Sequence, residues 1–175
     1  MTQPEFSRPV RVDTIGTSAR AIQIQAGAEE RAALARRFSL TALERLEAQV
    51  EIQRANQDIL ATGRLSAQLV QSCVASAAPL PAAVAEAFTI IFRPEPAAAA
   101  PEEEVELGEA ELDVMFYDGA IIDLGEAVAQ TLALHVDPYP RAPDADAALK
   151  EAGVVDEGIA GPFGALAALK DKLGK

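Results

Sequence analysis

The sequence predicts an α+β fold, a mainly antiparallel sheet with two or three packed helices, the sheet either open or curled towards a barrel. Three observations carry this. From Leu46 to Gln53 apolar and polar residues alternate, the period of a half-buried strand. At Ala28–Phe38, and again after Asp123, apolar residues recur every three or four positions, the period of a helix. Half of the 175 residues are hydrophobic, enough for the core of one domain. That domain is expected over residues 5–173, with a mobile acidic loop at 94–111.

Each element has its own signal. Val10 and Val12 alternate with polar neighbours after Pro9, which suits a short edge strand. Ala21–Gln25 alternates and reads as a second strand. The helix at Ala28–Phe38 has Glu29 and Glu30 in its first turn and Arg36 and Arg37 in its last, matching the helix dipole. Leu46, Ala48, Val50 and Ile52 then share one strand face. Ala55–Asp58 is a turn into a partner strand, Ile59–Ser72, bent at Gly63. Pro79-Leu-Pro81 predicts an extended bend before a strand at Val84–Phe92, with helix the alternative for its Ala-rich half. Residues 95–113 hold eight acids and no basic group, a composition with too little apolar area to offset ordering.

Leu112–Tyr117 is again strand-like. Asp118-Gly119 is a hairpin dipeptide, which makes Ala120–Ile122 the expected return strand. Asp123 is placed to cap a helix, and Glu126 to complete an Asp-x-x-Glu capping box. Gly125 weakens that helix by about 1 kcal/mol relative to Ala, so a close packing contact is expected there. Asp137-Pro138 stops the helix, and Pro138, Pro140 and Pro143 keep the next stretch extended. A weak helix is expected near Ala145–Ala152. A short terminal helix begins at Pro162, with Phe163, Leu166 and Leu169 as its apolar stripe.

Charge and cysteine usage exclude several classes. The net charge is −12, unevenly distributed: residues 1–93 carry +1 and residues 94–175 carry −13. An acidic surface disfavours phosphate binding, so no DNA partner is expected, and it attracts basic partners. The single Cys73 allows no disulfide within the chain and, with the single His135, no Cys/His zinc site. The N-terminus lacks a signal-peptide pattern. The uncharged run Leu65–Ala85 is broken by Ser, Gln and Pro, so no membrane span is expected. The expected location is the cytoplasm.

No nucleotide-binding glycine fingerprint and no nucleophile elbow is present. Cys73 with His135 would make a nucleophile pair, but a lone cysteine in an apolar run is ordinarily a small buried hydrophobe. Asp113, Asp118, Asp123 and Glu126 would make an acidic cluster, but a turn and a cap already account for Asp118 and Asp123. No catalytic residue, cofactor or metal ligand is therefore assigned. Tyr139 and Arg141, in the Pro-rich stretch, are the expected contact residues, with Phe163 and Leu166 of the terminal stripe.

Four stretches resemble one family. They are Val70-Gln-Ser-Cys73-Val leading to Pro79-Leu-Pro81; Ala120-Ile-Ile-Asp123-Leu-Gly-Glu running into Leu132-Ala-Leu134; Asp137-Pro-Tyr-Pro-Arg141-Ala-Pro143; and Gly161-Pro-Phe163 through Leu166-Ala-Ala-Leu169-Lys170. In this order they are similar to the large ribosomal RNA subunit accumulation proteins, the YceD-like family. The likeness covers nearly all the chain. Many members carry Cys-x-x-Cys where this chain has Val70-Gln-Ser-Cys73, with further cysteine after the Pro-rich stretch, so no metal role is carried over.

The resemblance implies a non-enzymatic part in the synthesis, processing or stability of large-subunit (23S) ribosomal RNA, with no known catalytic activity. Its implied partner is a large-subunit precursor or a basic ribosomal protein, since family genes often lie beside that of a small basic zinc-ribbon protein of the same subunit. RNA contact is the alternative. It requires the ten Arg of residues 1–93 to gather on one face. A small enzyme or metal protein built on Cys73, His135 or the Asp cluster is the third reading.

Overall fold

A computed structural model describes residues 4–95 and 113–154. In chain order the elements are β1 (Pro9–Arg11), a 3₁₀ turn at Val12–Thr14, β2 (Arg20–Gln25), α1 (Ala28–Arg37), β3 (Ala42–Ala55), β4 (Asp58–Ser72), β5 (Pro79–Pro94), β6 (Asp113–Tyr117), β7 (Ile121–Asp123), α2 (Leu124–His135) and α3 (Ala145–Glu151). Most of loop 94–111 and the terminal stripe with Phe163 and Leu166 lie outside the described residues.

The fold is α+β. One five-stranded sheet runs in the order β2-β3-β4-β5-β6, and β1 pairs with β7 separately. β3 is antiparallel to both β2 and β4. The connection from β4 to β5 is too short for a parallel crossover, which makes that pair antiparallel as well. β6 joins β5 in parallel. Among the described residues the sheet is open, with β2 and β6 as its edges, so it does not curl into a closed barrel. No described helix is long and apolar enough to cross a membrane, and the run Leu65–Ala85 lies in β4, β5 and the turn between them.

The chain divides into two compact units. One holds the residues up to Gln71 together with Pro81–Asp137; the other holds Ser72–Leu80 and the chain from Pro138 onward. The core of the first unit is a single apolar cluster. Leu46, Ala48, Val50 and Ile52 of β3 meet Ile59, Leu65 and Leu69 of β4, Phe88, Ile90 and Phe92 of β5, Leu34 of α1, and Leu124, Val128 and Leu132 of α2.

β3 begins before the alternation visible from Leu46, because a bulge interrupts the period. Leu43 pairs with Leu69 and Arg45 with Gln68, so Glu44 is the extra residue. Leu43 and Leu46 are both buried although three apart, which hides the strand period from the sequence. Gly63 is a close-approach position: a Cβ there would sit 2.5 Å from the Gln49 carbonyl oxygen and 2.7 Å from Phe88 Cζ. Pro79-Leu-Pro81 is not a bend but the opening of β5. Proline's fixed φ fits the extended region, and its missing N–H is tolerated at the start of a strand.

The Asp118-Gly119 hairpin is the main correction. β6 and β7 do not pair with each other: β6 lies beside β5 and β7 beside β1. A type I′ turn needs positive φ at both central residues, and only Gly119, at 79°, has it. The Ala120 carbonyl instead accepts from the Val12 amide at 2.8 Å, which extends the β1–β7 pair.

Asp123 does cap α2. Its carboxylate accepts from the amides of Gly125 (2.9 Å) and Glu126 (3.2 Å). It also accepts from the Arg8 amide (2.7 Å) and the Ser7 hydroxyl (2.5 Å), so one side chain ties the N-terminal strand to the helix start. The reciprocal half of the expected box is not made. Glu126 turns to Arg37 of α1, in two bonds of 2.8 and 2.7 Å. The close packing expected at Gly125 is present: a Cβ there would collide with the Phe6 carbonyl oxygen and stand 3.0 Å from the Arg8 nitrogen.

Candidate interaction surface

The second unit carries the Pro-rich stretch. Residues 73–78 form a tight loop, closed by hydrogen bonds from the Cys73 amide to the Ala78 carbonyl (2.8 Å) and from the Ala77 amide to the Cys73 carbonyl (2.9 Å). Ala77 takes a positive φ of 58° inside it. The Val74 amide donates to the Pro140 carbonyl at 2.9 Å. This bond sets Val74 next to Pro140, with Tyr139 and Arg141 on either side in the chain. The prolines at 138, 140 and 143 do not hold the stretch fully extended: the backbone bends at Pro138 and Tyr139 and turns at Pro143–Asp144 into α3.

Tyr139 is 77% exposed and Val74 60% exposed. Arg141 is exposed and ion-paired with Asp146 in the first turn of α3. The arrangement is an aromatic ring and a guanidinium on one short segment, with an aliphatic side chain on the neighbouring loop. These are the types of side chain that anchor protein contacts, and Tyr and Arg are enriched among binding hot spots. The Val74 contribution is not legible in the sequence, because it depends on a backbone bond between residues 66 positions apart.

The candidate chemical groups have structural partners. Cys73 lies just past the end of β4 in the loop, not in the strand, and is buried with Ala142 and Ala145. Its Sγ accepts from the amides of Ala142 (3.3 Å) and Ser76 (3.4 Å). The Ser76 hydroxyl first, then those amides, hold the thiol down to about 7. His135, at the end of α2, is exposed, and its Nδ1–H donates to the Thr131 carbonyl at 2.8 Å. The ring thus caps its own helix.

The acidic set does not converge either. Asp123 is occupied by the cap and Glu126 by Arg37. Among the described residues no three His, Cys, Asp or Glu side chains gather where a metal ion would be held. Seven of the ten arginines of residues 1–93 are similarly engaged, Arg37 with Glu126 among them. Arg8 pairs with Glu30, Arg11 with Asp13, Arg45 with Glu47 and Arg93 with Asp58. Arg54 donates to the carbonyls of Val12 and Ile15, and Arg31 to that of Ala26. Each ion pair neutralises a charge that phosphate binding would need, and the paired residues are distributed over several elements.

A family model described as large ribosomal RNA subunit accumulation protein YceD matches residues 61–170, more than half of the chain. The chain belongs to that family. The match spans β4, the Cys73 loop, β5, β6, the Asp123 cap, α2, the Tyr139–Arg141 stretch and α3. No curated protein and no solved structure matches the chain.

Proposed function

We propose that this chain is a non-enzymatic cytoplasmic factor in large-subunit ribosome biogenesis. It supports the synthesis, processing or stability of the large-subunit RNA through protein contacts made by Tyr139 and Arg141. The family match over residues 61–170 carries this reading. The engagement of Cys73, His135, Asp123 and Glu126 in structural bonds favours contact over catalysis. The −13 of residues 94–175 favours a basic partner, a ribosomal protein or a large-subunit precursor that carries one.

The test is affinity capture of the tagged full chain from growing cells, at low and at high salt. The reading expects large-subunit ribosomal proteins or precursor particles at low salt, weakened at high salt as screening requires. Arg141→Glu and Tyr139→Ala should each reduce the capture while leaving the circular dichroism unchanged. Recovery of no ribosomal material at low salt would sink the reading. Charge reversal at Arg141 that leaves both folding and large-subunit assembly intact would remove this surface from it.

A further inference from the structure

We infer that the open edge of β6 is a docking strand for an extended, basic segment of a partner protein. The inference goes beyond the proposed function, because it is argued from β6 and its neighbours and not from Tyr139 and Arg141.

β6 ends the five-stranded sheet, and among the described residues only β5 pairs with it. Exposed edges are ordinarily guarded by a lysine, a proline, a bulge or an inward charge. β6 carries a charge only at its first residue, Asp113, and Val114-Met-Phe-Tyr117 after it has no lysine, proline or charge. β2, the other edge, presents polar side chains to solvent along its length, Arg20, Gln23 and Gln25, where β6 presents Val114 and Phe116. Met115 and Tyr117 pack against the core. Val114 and Phe116 point the other way and are 37% and 60% exposed. Register sets Val114 beside the half-buried Ile91, and Phe116 beside Arg93. The result is a backbone edge with an apolar strip along one side, the pattern used when a peptide adds a strand to a sheet.

Charge selects the occupant. Glu95, Asp113 and Asp118 are exposed at the two ends of the strand. Arg93 is the only basic residue on β5 and β6, and Asp58 neutralises it at 2.9 Å. A second copy of this chain would bring Asp113 and Asp118 against their own kind, in a molecule already at −12. RNA phosphates would meet the same three carboxylates. A strand with alternating apolar and Lys or Arg residues satisfies both the edge and the acids.

The test replaces Phe116 with a photo-crosslinking residue (Phe116→benzoylphenylalanine) in the full chain, irradiates cells, and maps the adduct by mass spectrometry. Gln23→benzoylphenylalanine on β2 sets the background, and Tyr139→benzoylphenylalanine reports separately on the surface proposed above. The expected adduct is a peptide of another protein, with net positive charge, whose yield falls about fivefold when Val114→Asp is added, as for roughly 1 kcal/mol of lost affinity. The inference is overturned by no adduct above the Gln23 background, or by an adduct to this chain, to a second copy, to RNA, or to a neutral or acidic peptide. It is also overturned by a yield indifferent to Val114→Asp in protein with unchanged circular dichroism. Loss of the position-116 adduct with a ribosomal adduct kept at position 139 sinks this inference and leaves the proposed function standing.

Discussion

Gly125 shows how a single residue can oppose its own propensity. In an isolated helix Gly125→Ala would gain about 1 kcal/mol. Here the new methyl would meet the Phe6 carbonyl and the Arg8 nitrogen, which are backbone and cannot swing away. Overpacking of this kind costs roughly 1–3 kcal/mol, so the clash outweighs the propensity. Gly125→Ala is therefore expected to lower stability in urea unfolding, and an unchanged or raised midpoint would contradict the packing described. Asp123 belongs to the same junction. Asp123→Ala removes a cap and two further hydrogen bonds, and should cost about 2 kcal/mol, at the upper end for N-caps.

Cys73 illustrates what the sequence hides at this scale. Its burial is legible from its apolar neighbours, but its amide donors come from Ser76 and from Ala142, far along the chain. The Ser76 hydroxyl first, and then these amides, lower the thiol to about 7. Alkylation of the folded protein, slow because the thiol is buried, should follow a titration with a midpoint near 7. A midpoint at the ordinary value of about 8.5 would show that the Ser76 hydroxyl and the amides do not hold the thiolate. Because the folded value lies below the unfolded one, this group adds stability as pH rises through that window and loses it as pH falls back towards 7.

Among the elements, the legible parts are those whose signals are local. The Asp123 cap, the dipole-matched charges of α1 and the alternation of β3 after Leu46 can all be read within a few residues. The missed parts depend on partners far away in sequence. Glu126 reads as half of a capping box until Arg37, 89 residues earlier, is placed beside it. Asp118-Gly119 reads as a hairpin until β1 and β5 compete for the two flanking strands. The bulge at Glu44 erases the strand period over the first residues of β3.

The Arg37–Glu126 pair links α1 to α2 and is partly buried. A double-mutant cycle with Arg37→Ala and Glu126→Ala should return a coupling of about 1 kcal/mol, and a value near zero would make the pair incidental. The Arg37 guanidinium holds the Glu126 carboxyl below the usual range, and Arg8 does the same for Glu30. Groups with lowered values add stability above their ordinary pKa of about 4.3 and lose it as pH falls through the folded value. The melting temperature should therefore fall as pH drops below about 4, less steeply for Glu126→Gln than for the wild-type chain.

For the whole molecule, charge and family point the same way. A sheet edge unpaired among the described residues, an acid-rich second half and the exposed Tyr139 are the features on which the proposed partner contacts rest, in a family named for the accumulation of large-subunit RNA. The most direct test is the ratio of large- to small-subunit ribosomal RNA in cells that lack this chain, restored with the wild type or with a Tyr139→Ala, Arg141→Glu variant shown to fold. The account predicts a lowered ratio without the chain, recovery with the wild type, and no recovery with the variant. An unchanged ratio without the chain would contradict the proposed function, and full recovery with the variant would contradict the surface assigned to it.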